Sequence, residues 1–170
     1  MTQPQDASTC AELAGRVIAA AKAAGTSLAT AESLTAGMIA ATLAEVPGAS
    51  AVLQGGVVSY SSSVKARVLG VDPALLAERG SVDGEVARQM AEGARRACGA
   101  DLAVSATGVA GPDAHDGKDV GTVFLGFASG SGSGFTEHRF AGDRAGIRFS
   151  STVAALELLA SHLVPSKHTA

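Results

Sequence analysis

Three side chains in this sequence are of the types that together carry out acyl transfer: Ser33, Tyr60 and Lys65. Ser33 lies in Ala31-Glu-Ser-Leu-Thr-Ala-Gly37, where a short small-residue strand leads into an expected helix. A helix N-terminus carries free N–H groups and the positive end of a dipole. A serine there can present its hydroxyl beside ready-made oxyanion donors, with the backbone of Thr35, Ala36 and Gly37 close to a bound substrate. The same position also suits a plain helix cap, the commoner role for serine. The local residues leave both readings open. A serine nucleophile needs a base, and no histidine is placed to supply it. The lone tyrosine, Tyr60, and Lys65 share the stretch Tyr60-Ser-Ser-Ser-Val-Lys65. If its strand neighbours the Ser33 strand, both side chains face one cleft. A desolvated lysine loses its proton more easily and can then act as general base. An exposed lysine and an edge tyrosine are the plain alternative.

Two further segments offer binding chemistry. Ser105-Ala-Thr107-Gly108-Val-Ala-Gly111-Pro112 leaves a buried-type strand, and Thr107 with its glycines can bring backbone near a ligand. Arg144 and Arg148 are four apart near a helix start, so they share a face and suit a phosphate. An ordinary strand-to-loop exit is the plain alternative for the first segment, and a surface pair with nearby acids for the second. Other motifs fail. Gly111 to Asp119 has the wrong glycine spacing for a phosphate loop and lacks its Ser/Thr. Gly130-Ser-Gly132-Ser-Gly134 lacks GxGxxG spacing and leads into a strand, so it reads as a turn. Cys10, Cys98 and four scattered histidines form no metal-ligand spacing.

These groups must be positioned by elements that the pattern also predicts. With 170 residues, 46% of them hydrophobic, the chain is long enough for one domain with a real core. A net charge of -3, with basic residues scattered, makes nucleic acid an unlikely partner. No apolar run approaches a membrane span and no secretory leader is evident, so a cytoplasmic location is expected. Helical periodicity appears over 11–24, from Thr35 to Ala44, over 63–69, after Asp72-Pro73, after Asp83 and after Asp143. Strands are expected at 28–31, 53–60, 102–107, 120–128 and 135–140, the last two as a hairpin about the turn 129–134. Residues 1–9 and 165–170 are expected to be flexible ends of a single domain over 10–164. The alternation predicts an α/β fold: a three-layer α/β/α arrangement with a mixed sheet.

Six segments occur in one family's order: AESLTAG, VPGAS with GGVVSYSSSVKARVLGV, GSVDGEVARQMAEGAR, ATGVAGP, VGTVF and FAGDRAGIR. Over about residues 11–163 the chain resembles the C-terminal domain of the CinA competence/damage-inducible proteins, the nicotinamide-nucleotide amidohydrolases. The resemblance implies deamidation of nicotinamide mononucleotide to nicotinic acid mononucleotide and ammonia in pyridine-nucleotide salvage. It implies Ser33, Tyr60 and Lys65 as the catalytic set, with Thr107, Gly108 and Arg144 lining the nucleotide site. It further implies no metal or cofactor, a small-molecule nucleotide as substrate, and a homo-oligomer, dimeric or larger. Leu34 and Ala36 stand where the family has Cys and Gly, and Asp113, His115 and Asp116 where glycines are common. The alternative is a non-catalytic pyridine-nucleotide-binding or competence/DNA-damage interaction module.

Overall fold

The computed structural model describes residues 4–163; of the flexible ends expected at 1–9 and 165–170, residues 1–3 and 165–170 lie outside the described residues, while 4–9 belong to a helix. Helix α1 (Pro4–Ala24) begins well before the apolar periodicity sets in at Ala11. It is followed by β1 (Leu28–Glu32), α2 (Met38–Ala44), β2 (Leu53–Val58), α3 (Ser62–Leu69), α4 (Pro73–Arg79) and α5 (Gly84–Cys98). The second half holds β3 (Leu102–Gly108), β4 (Thr122–Ser129), β5 (Gly132–Arg139) and α6 (Arg144–Leu163). The five strands form one sheet in the order β2-β1-β3-β4-β5. β1 pairs parallel with both β2 and β3, while β3–β4 and β4–β5 are antiparallel. The mixed sheet and single domain follow the expected class.

Strand alternation sorts the two faces. Leu28, Leu102, Val104 and Leu125 point to one side and pack with Val17, Ile18, Ile39, Ile147, Leu156 and Leu159 of α1, α2 and α6. Ala29, Ala31 and Ala103 point to the other, under Val86, Met90 and Ala94 of α5. These small residues let α5 sit close to the sheet. A Cβ added at Gly126 would meet Ala87 O at 2.1 Å, and Ser105 Oγ donates to that same carbonyl at 2.6 Å. Each helix start anticipated at an aspartate is capped by it: Asp72 accepts from Ala74 N–H, Asp83 from Glu85 N–H and Asp143 from Gly146 N–H, all at 2.8 Å.

Two expectations need correction. The hairpin turn is shorter than 129–134: β5 begins at Gly132, leaving two residues between the strands. The second helix starts at Met38, not Thr35. Residues 34–37 instead form turns, with Ala36 at φ 51° and Gly37 at φ 97°. Both lie in the left-handed region, which ends any helix built forward from Ser33.

Candidate active site

Ser33 and Ser59 follow the ends of adjacent parallel strands. Ser33 N–H donates to Ala106 O at 2.9 Å and Ser59 N–H to Glu32 O at 2.8 Å, which extends the sheet contacts past β1 and β2. From β1 the chain goes to β2 on one side and returns to β3 on the other. A crevice outside the carboxyl ends of strands opens at such a reversal. Here it is a cavity of about 340 Å³, lined by Ser33, Tyr60, Ser81, Thr107, His115 and Arg144 among others.

Ser33 does not cap α2. That task falls to Glu32, a carboxylate only 1% exposed. It accepts from Gly37 N–H at 2.9 Å, Ile39 N–H at 3.0 Å, Ala40 N–H at 2.9 Å and the Thr30 hydroxyl at 3.1 Å. An anion at a helix N-terminus is favoured by both the dipole and the free amides. The sequence signal was a lone acidic residue closing a strand of small residues, directly before a helix start. Because Glu32 occupies the helix amides, the Ser33 hydroxyl is left for other partners.

Its partner is Lys65. α3 is capped by Ser61, and Lys65 lies in its first turns, fully buried. Nζ donates to Ser33 Oγ at 2.9 Å and to Ser59 O at 2.8 Å. Burial pulls the lysine from its ordinary value of 10.5 to about 8, and the Asp116 carboxylate pulls weakly the other way. Once deprotonated, the amine can keep an N–H on Ser59 O and turn its lone pair toward the Ser33 proton.

The remaining expected residues divide. Thr107, Gly108, Tyr60 and Arg144 line the cavity with Ser33. Tyr60 is 60% exposed and its hydroxyl accepts from Arg144 Nη2 at 2.9 Å; no hydrogen bond joins it to Lys65 or Ser33. It stands at the mouth of the cavity. Arg144 also donates to Gly111 O at 2.7 Å, which ties α6 to the 111–119 loop. Thr107 Oγ1 donates to Ser81 O at 2.7 Å. Gly108 is small for packing as well: an added Cβ would lie 2.6 Å from Thr122 O. Thr35, Ala36, Gly37 and Arg148 do not line the cavity. Thr35 is buried, the Gly37 amide is taken by Glu32, and Ala36 is exposed. Arg148 turns inward, donating to Leu34 O and Thr35 O.

Sequence reading missed Ser81 and underused Asp116. The Asp116 carboxylate accepts from Ser81 N–H at 2.6 Å and from its hydroxyl at 2.9 Å. Burial pushes its pKa up, but these bonds hold it below the usual carboxylate value. They latch the 111–119 loop over the cavity. Among the described residues no group of three or more His, Cys, Asp or Glu side chains is placed to hold a metal ion. Among them, too, no helix is long and apolar enough to cross a membrane.

Comparison with known proteins agrees with this architecture. The family model described as the CinA C-terminal domain matches residues 10–163. A CinA-like protein of Geobacter sulfurreducens is 48% identical over 141 residues, covering 82% of this chain and 34% of its own length. A CinA-like protein of Anaeromyxobacter dehalogenans is 48% identical over 149 residues, covering 87% and 36%. The chain therefore spans about a third of the curated relatives it matches. The crystal structure of competence/damage inducible protein CihA from Agrobacterium tumefaciens superposes with a TM-score of 0.87 at 38% identity, covering 90% of this chain and 94% of that one. Competence damage-inducible protein A of Klebsiella pneumoniae gives 0.89 at 32% identity, covering 93% and 99%. By sequence, by fold and along nearly its whole length, the chain belongs to the CinA C-terminal domain family.

Proposed function

We propose that this chain is an amidohydrolase that converts nicotinamide mononucleotide to nicotinic acid mononucleotide and ammonia, as the family resemblance implies. One observation carries the reading: a buried lysine, depressed to about 8, within 2.9 Å of a serine hydroxyl that opens onto a cavity. A structural lysine gains nothing from such burial, whereas a general base needs it.

In the first step neutral Lys65 takes the Ser33 proton as Oγ bonds to the carboxamide carbon. Backbone amides that follow Ser33 hold the oxyanion. The lysine ammonium then returns its proton to the nitrogen, the C–N bond breaks, and ammonia leaves. Water attacks the acyl-serine ester while Lys65 accepts its proton; the lysine passes that proton to Ser33 Oγ as the ester C–O bond breaks, and the released acid ionises in solvent. Arg144, at the rim with Tyr60, is the cation available to the substrate phosphate. No metal or cofactor enters the scheme. The assay is ammonia release from nicotinamide mononucleotide in the presence of a chelator. Wild type should turn over and Ser33→Ala should fall to background; full turnover in Ser33→Ala would sink the nucleophile assignment.

A further inference from the structure

The serine turn is gripped by charge from two sides. Glu32 takes the amides at the start of α2, as described above. From α6, Arg148 Nε donates to Leu34 O at 2.9 Å and Nη2 to Thr35 O at 3.0 Å. A guanidinium is suited to this grip because its donors form a rigid planar fork. In a trans peptide the C=O and N–H point in opposite directions. Holding Leu34 O therefore aims the Thr35 N–H away from α6. Ala36 N–H donates to Ser33 O at 3.1 Å, which fixes the Ser33–Leu34 peptide in the same manner. The outcome is two successive amides after the nucleophile, Leu34 and Thr35, that meet no acceptor among the described residues. Thr35 Oγ1, on the same residue, is buried and also without a partner. Unspent buried donors are costly in a folded protein; Leu34 lines the cavity beside Ser33, so the Leu34–Thr35 peptide borders the substrate space although Thr35 itself does not line it, and an oxyanion is what these donors would receive.

We propose that Arg148 is a positioning residue for the oxyanion site: it fixes the Leu34–Thr35 peptide so that its N–H faces the developing negative charge, and its cation polarises that peptide. This rests on the reading of Ser33 as nucleophile. It replaces the phosphate-clamp role suggested by the spacing of Arg144 and Arg148, since the Arg148 guanidinium is committed to carbonyls and lies outside the cavity lining.

Acetylation by p-nitrophenyl acetate isolates the step. The Ser33 Oγ–acetyl bond forms, the ester C–O bond to nitrophenolate breaks, and the hydroxyl proton passes to Lys65. Nitrophenolate release is timed, and the acetyl group is mapped to Ser33 by mass spectrometry, for wild type, Arg148→Met and Arg148→Lys. Arg148→Met should acylate about 100-fold more slowly, the scale of losing an oxyanion donor. Arg148→Lys, which reaches one carbonyl at a time, should fall between the two. Dilute guanidinium should restore part of the rate of Arg148→Met. With nicotinamide mononucleotide the loss should appear in kcat, with KM little changed. An unchanged acylation rate in a cooperatively folding Arg148→Met overturns the proposal, as does a loss confined to KM. Should Arg148→Met fail to fold, wild-type rates in Arg148→Lys overturn it equally. Wild type that acetylates at Ser33 but releases no ammonia from the nucleotide would refute the substrate reading alone, and the variant acylation rates would still decide the role of Arg148.

Discussion

Replacing Lys65 with methionine should abolish turnover and change stability in a way that depends on pH. In the folded chain the lysine is lowered from 10.5 to about 8 by burial. Between those values the unfolded chain binds more protons, so wild-type stability rises as pH rises through the window. Below it the full penalty applies, about 3 kcal/mol near pH 7, and about 1 kcal/mol of it persists near pH 9.5. Methionine fills the same space without a charge. Its absolute effect on stability mixes relief of that penalty with the lost bonds to Ser33 Oγ and Ser59 O, each about 1 kcal/mol. The pH dependence does not mix them. Urea unfolding of both proteins should show the stability of Lys65→Met relative to wild type falling by about 2 kcal/mol from near pH 7 to near pH 9.5. A difference that stays flat across that range would refute the claim that Lys65 is strained by burial. The same shift sets the rate. About one-tenth of the lysine is neutral near pH 7, against about 1 in 3,000 without the shift, a gain of about 300-fold in competent base. Ammonia release should accordingly climb to half its maximum near pH 8.

Glu32→Gln keeps the shape but loses the charge that holds three amides and a hydroxyl, so stability in urea should fall by about 2–4 kcal/mol. A change under about 0.5 kcal/mol, the scale of an ordinary surface substitution, would show the carboxylate is not needed there. Asp116→Asn removes the carboxylate that raises Lys65, so the midpoint of the pH–rate profile should move down; an upward move would contradict the assignment.

Much of the fold was legible because period and caps are local. The buried strand at Leu102, the amphipathic helix after Asp83 and the three aspartate caps all follow from neighbouring residues. The helix expected at Thr35 failed because a left-handed Ala36 has no signature in composition, and because Glu32 reaches forward past Ser33 to take the helix amides. The meeting of Ser33 and Lys65 was not legible from spacing. It depends on β1 and β2 being parallel neighbours, a property of topology. Arg144 and Arg148 show the same limit. Four residues apart on a helix does place them near one face, but Arg144 in the first turn bends out to Tyr60 and Gly111 while Arg148 turns in to the serine loop.

The seam between β1 and β2 has a consequence for how the chain comes alive. The proposed nucleophile follows one strand, its proposed base lies on the helix after the next strand, and β2 is an edge strand with a single neighbour. A chain emerging from the ribosome with only the first strand complete holds a serine no more reactive than one in solvent. Under the proposed mechanism the serine gains its base only when the edge docks and buries the amine. On that reading the pair doubles as an internal proof of assembly: a molecule whose edge has peeled away would keep both residues and lose the contact between them.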